Sequence, residues 1–112
     1  MELLPEKFVS KGHRHEMLMR TGESDAKQFA VYRRWSIATE WTTPTPHYEV
    51  IRIKRQEAGE VTRDGVTFQL EAKELYPNER TWGTDGWTFQ SRDRAEQKYL
   101  ALLKRAGKVK LE

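Results

Sequence analysis

Trp82-Gly83-Thr84-Asp85-Gly86-Trp87-Thr88-Phe89 runs directly into Ser91-Arg92-Asp93-Arg94-Ala95, and the reading of these residues decides the fold. Two tryptophans and a phenylalanine beside two glycines have the composition of a tight turn held by large rings. Gly83 or Gly86 is expected to adopt a backbone conformation that other residues avoid. Trp82 and Trp87 are expected to bracket the turn over the next element. That element is a helix. Ser91 is a good N-cap, and Asp93 in the first turn complements the helix dipole. Ala95, Tyr99, Leu102, Leu103 and Ala106 recur on one helical face. Lys104 and Arg105 suit the C-terminal end, and Gly107 can supply a left-handed cap. These signals predict a helix from Ser91 to about Ala106, with Ala95, Tyr99, Leu102 and Leu103 buried.

Upstream, the patterns change to period two. His47 to Arg55 reads as a strand in which Ile51 and Ile53 share one face, with Tyr48 and Val50 on the other. Arg63-Asp64-Gly65 is a turn signal. Val66, Phe68 and Leu70 then alternate with polar residues, which predicts a half-buried strand. A short extended piece at Trp87 to Phe89 precedes the helix. Between Thr42 and Pro46 two prolines enforce a loop. Phe29 to Trp41 fits both a strand and a helical face. Its aromatic and β-branched residues favour a strand from about Ala30 to Ala38. Residues 1–24 show no sustained apolar period and read as a poorly ordered or lightly docked arm, leaving 25–112 as a single domain. The fold class is therefore α+β: a small antiparallel sheet of three or four strands, covered on one face by a C-terminal helix.

With 112 residues, the chain has the length of one domain, and 37% apolar and 11% aromatic residues suffice for a modest core. No stretch approaches the ~18 apolar residues of a membrane span. Cysteine is absent, which removes disulfide and thiolate chemistry and is consistent with a cytoplasmic location. The net charge of +3 is unevenly spread. Residues 29–56 and 91–112 are basic, whereas 57–90 are acidic.

The basic residues Arg33, Arg34, Arg52, Lys54 and Arg55 lie on expected strands among aromatic rings, with Lys104, Arg105, Lys108 and Lys110 as a second group. Cations of this kind contact phosphates, and neighbouring rings stack on unpaired bases. The alternative is a solvated sheet face whose charges discourage edge pairing. Trp82-Gly83, the second glycine Gly86, the aromatic Trp87, and a Ser-started helix with Ala95 and Tyr99 inward resemble the second half of WGR-type domains. That resemblance spans at most residues 48–106, and Thr84 stands where the family's arginine would be. WGR-type domains are small modules that contact DNA, found beside poly-ADP-ribose polymerase catalytic domains and alone in bacteria, so the resemblance implies a DNA-contacting role.

His13, His15 and Glu16 place three potential metal ligands within four residues, but no second cluster of zinc-like spacing follows. No phosphate loop, nucleophile elbow or cysteine nucleophile is present. The expectation is a non-enzymatic binding module with no metal or cofactor. Nucleic acid is its first candidate partner. Another protein is the second, engaged through exposed aromatics such as Trp35 and Trp41 and the acidic middle segment. One continuous basic face would favour nucleic acid, while scattered charge around an apolar patch would favour protein.

Overall fold

The computed structural model describes residues 2–21, 28–36 and 45–106. Nine strands and one α-helix are assigned there: β1 Lys7–Ser10, β2 His13–Arg20, β3 Phe29–Ser36, β4 His47–Arg52, β5 Lys54–Gln56, β6 Gly59–Arg63, β7 Val66–Leu70, β8 Lys73–Leu75, β9 Gly86–Phe89 and α1 Arg92–Arg105. The principal sheet is antiparallel with the order β1-β2-β3-β4-β9, while β5-β8 and β6-β7 form two separate two-stranded sheets. The α+β class stands, but the sheet has five strands rather than three or four.

The extra strands come from the segment expected to be an arm. β1 and β2 form a hairpin that joins the sheet through β3. Its turn is Lys11-Gly12, with φ of 50° and 77°, the left-handed pair that a two-residue hairpin demands. A β-bulge between Met17 and Met19 shifts the register. That bulge explains why the segment lacks a readable period: Met17 packs on one side of the sheet, while Leu18 and Met19 pack on the other. β2 of the expected arm and β3 are thus neighbours in one sheet, while residues 22–27 between them lie outside the described residues.

β3 resolves the ambiguity of Phe29 to Trp41 in favour of a strand from Phe29 to Ser36; Ile37 to Trp41 lie outside the described residues. Its alternation builds two cores. Phe29 and Val31, with Val50 of β4, meet Ala95, Tyr99, Leu102 and Leu103 of α1. Ala30 and Tyr32, with Ile51 and Ile53, meet Leu4 on the opposite face. The helix is as expected, with Ser91 as N-cap and the predicted four residues buried; Gly107 is outside the described residues.

The aromatic turn is divided rather than shared. Gly83 has φ of +95°, as anticipated for a glycine there. Trp87 packs on the helix side, with Lys98 Nζ 4.3 Å from its ring centroid. Trp82 instead packs against the helix-free cluster, so it does not cover α1. Its indole lies over Gly86, where an added Cβ would sit 2.6 Å from Cε3. Gly86 is needed for that close approach, since the ring occupies the space of a side chain.

The strand beginning at His47 ends earlier than the sequence suggests. It leaves the principal sheet at Ile53, and Lys54–Gln56 pair with β8 instead. Glu74 of β8 has a fully buried side chain, and its two oxygens take Nη1 and Nη2 of Arg20 at 2.7 and 2.8 Å. The Leu4 backbone N–H donates to the same carboxylate at 2.9 Å, which fastens the N-terminal segment to this small sheet.

Candidate interaction surfaces

The basic residues singled out by sequence do not form one face. Arg33 and Arg34 are consecutive on β3 and therefore point to opposite sides. Arg33 Nη2 lies 3.3 Å from Glu16 Oε2, and its guanidinium lies over Trp35 at 4.8 Å. Arg34 Nη1 lies 3.2 Å from Oε2 of the buried Glu49 on the helix-free side. Arg52 and Lys54 both reach Asp85, at 4.0 and 2.8 Å, and together they hold its carboxyl below the usual carboxylate range, Lys54 most strongly. Arg55 is opposite Glu74 in the β5-β8 register. Lys104 and Arg105 are exposed in the last turn of α1, and Lys108 is outside the described residues. Positive charge is thus scattered, and Arg33, Arg34, Arg52 and Lys54 each have a carboxylate partner.

On the helix-free face, Glu49 lies at the floor of a cleft of about 590 Å³ whose walls include Phe8, Tyr76 and Trp82. Tyr76 donates its hydroxyl to Glu49 Oε1 at 2.6 Å, and His15 Nε2 is 3.5 Å from the same oxygen. Phe8 stacks on His15 with ring centroids 4.3 Å apart, and Tyr32 and Tyr76 meet Phe8 edge-on. Burial pushes both phenols above their ordinary range. Nothing in the sequence pairs Glu49 with His15, because only the β2-β3-β4 register brings them together. Both carboxylate oxygens are engaged by neighbouring side chains, Oε1 by Tyr76 and His15 and Oε2 by Arg34. His15 and Glu16 alternate to opposite faces of β2, so they cannot converge with His13 on one ion. Among the described residues no group of three potential metal ligands is found.

Burial also lowers the His15 pKa below 6.5, with Glu49 opposing the shift and Arg34 reinforcing it. An unfolded His15 therefore takes up a proton near pH 6.5, whereas the folded one resists until the pH is lower. The stabilisation from neutral His15 is complete above pH 6.5 and is lost as the pH falls toward the folded value. One such proton gives a slope of at most about 1.4 kcal/mol per pH unit. Chemical denaturation at a series of pH values should show wild-type stability falling below pH 6.5. His15→Phe, which keeps the stack on Phe8, should flatten that fall. Parallel curves for the two proteins would remove His15 as the cause.

The second surface is the β6-β7 hairpin. Its two strands pair only with each other, turning at Asp64-Gly65 with φ of 51° and 75°. Cross-strand partners place Arg63 with Val66, Val61 with Phe68 and Gly59 with Leu70 on one face. The other face is a polar ladder, with Glu60–Gln69 at 2.7 Å and Thr62–Thr67 at 3.2 Å. The sequence correctly places a turn and a strand here, but not their environment. Val66 and Phe68 are each 52% exposed instead of half-buried, because no described element covers them. A groove of about 720 Å³ runs along this apolar face. Two-stranded hairpins standing alone are marginal in water, and covering a Phe or Val side chain fully is worth ~1.5–3 kcal/mol. Trp35, the other expected apolar anchor, is partly covered by Arg33, and Trp41 lies outside the described residues.

Among the described residues no helix is long and apolar enough to cross a membrane. Comparison with protein-family models, with curated proteins and with solved structures finds no match.

Proposed function

We propose that the protein is a non-enzymatic protein-interaction module that engages its partner through the apolar face of the β6-β7 arm. The observation that carries this reading is an amphipathic hairpin whose apolar side leaves Val66 and Phe68 exposed between the half-buried Val61 and Leu70. An uncovered apolar stripe rimmed by polar residues is the usual character of a protein contact. The arm belongs to the acidic middle segment, residues 57–90. The scatter and pairing of the cations support the same reading, since phosphate binding needs a shared basic surface.

A photoreactive phenylalanine analogue at position 68 of the full chain, with position 67 on the polar face as control, tests the proposal. Position 68 should yield a discrete adduct and position 67 none. The protein so captured should bind the wild-type chain and lose affinity by about tenfold or more toward Phe68→Asp. Equal affinity for both chains, or no adduct from a folded chain, would overturn the reading. Titration with single- and double-stranded oligonucleotides at two salt concentrations provides the contrast. Steeply salt-dependent binding there would return nucleic acid to first place.

A further inference from the structure

Resting on that reading, we infer that the partner of the arm is a second copy of this chain, two hairpins packing face to face with their strands antiparallel. Along the apolar face there are three rows from tip to base: Arg63 with Val66, Val61 with Phe68, and Gly59 with Leu70. A two-fold axis lying across the middle row places Phe68 on the partner's Phe68 and Val61 on the partner's Val61. The same operation sets Val66 against the partner's Leu70, and Arg63 over the partner's Gly59. The pattern is self-complementary in shape, because the bulkiest polar residue of the face meets the one position without a side chain. At Gly59 an added Cβ would have nothing within 4 Å, so the space for Arg63 is open.

Charge selects the same arrangement. Arg63 stands at the tip of an apolar row and has no ion pair among the described residues. The base of the arm is flanked by Glu57 and Glu71, both exposed and likewise without an ion pair among the described residues. Antiparallel packing brings each Arg63 to the acidic base of the other copy. A parallel arrangement would instead gather both Arg63 side chains at the tips, each over the partner's Val66, and leave both acidic bases together, and such like-charge contacts are costly. The isologous geometry is the commonest closed symmetry and yields a dimer, not a fibre. Three rows make a small contact relative to standard interfaces of ~1,200–2,000 Å², so affinity should be on the order of micromolar, with fast exchange.

Sedimentation velocity of the full chain, from micromolar to near-millimolar concentration, reads the result directly. A concentration-dependent monomer–dimer equilibrium is expected. Phe68→Asp should abolish it, and Thr67→Asp on the polar face should leave it unchanged. Arg63→Glu should weaken association about tenfold, and adding Glu57→Arg, two residues before the Gly59 that Arg63 covers, to that variant should restore it. The arm lies outside both cores, so each variant should keep the wild-type denaturation midpoint and far-ultraviolet spectrum. A wild-type chain that stays monomeric throughout, or a dimer indifferent to Phe68→Asp, overturns the inference. Monomeric wild type with an adduct from position 68 to a different protein would sink the self-pairing while sparing the arm's role as a contact surface. If there is neither dimer nor adduct, both fail.

Discussion

Glu74→Ala should lower the stability of the fold by about 3–5 kcal/mol, the cost of breaking a buried ion pair from one side. The Glu74 side chain is fully buried, and Arg20 grips both of its oxygens at 2.7 and 2.8 Å. Truncation strands more than one group. The Arg20 guanidinium, 18% exposed, loses both Glu74 oxygens while keeping Gln28 Oε1 at 2.7 Å and the Thr21 carbonyl at 3.0 Å as neutral partners. The Leu4 backbone N–H loses its acceptor as well. Since domains of this size are stable by ~5–15 kcal/mol, the loss should be plain in a chemical denaturation midpoint. Glu74→Gln keeps the shape and should cost less. Arg20 holds the Glu74 carboxyl below the ordinary carboxylate range, chiefly by hydrogen bonding. Its stabilisation is therefore present above the ordinary range and lost as the pH falls through the lowered folded value. In Glu74→Gln that part of the acid limb should vanish. A midpoint unchanged in Glu74→Ala would show that the pair is not part of the folded structure.

Leu102→Ala should cost about 2–5 kcal/mol, because its side chain closes the core between α1 and the sheet. Leu102 is 4% exposed and belongs to the cluster of Phe29, Val31, Val50, Ala95, Tyr99 and Leu103. Removing three carbons leaves a cavity that a rigid sheet and an anchored helix cannot fill by collapse. Leu100 on the same helix is 48% exposed, and Leu100→Ala should change stability by less than about 0.5 kcal/mol. Denaturation midpoints for the two variants give the comparison. Similar midpoints would mean that α1 does not bury the face on which its packing depends.

The sequence by itself determined those elements whose signals are local. Ser91, Asp93 and the spacing of Ala95, Tyr99, Leu102 and Leu103 specify α1 within a few turns of backbone. The Asp64-Gly65 turn and the alternation of Val66, Phe68 and Leu70 specify β7, and one of the two glycines of the aromatic turn is expected in an unusual conformation, which Gly83 adopts. These features depend on neighbours a few residues away, so they are legible in one dimension. Tertiary structure decided what depends on register and on the partner across the sheet. The β1-β2 hairpin was hidden because a bulge at Met17–Met19 breaks the alternation on which a strand reading relies. Trp82 went to the helix-free face because its ring needs the space above Gly86. Glu49 and His15, 34 positions apart, became neighbours only through the β2-β3-β4 pairing. The strongest change concerns charge and exposure. The five bases of residues 29–56 look like one patch when counted along the chain. Strand alternation sends Arg33 and Arg34 to opposite faces, and Asp85 draws in Arg52 and Lys54. Val66 and Phe68 have the alternation of a buried strand, yet remain open because covering them requires an element that the described residues do not bring there.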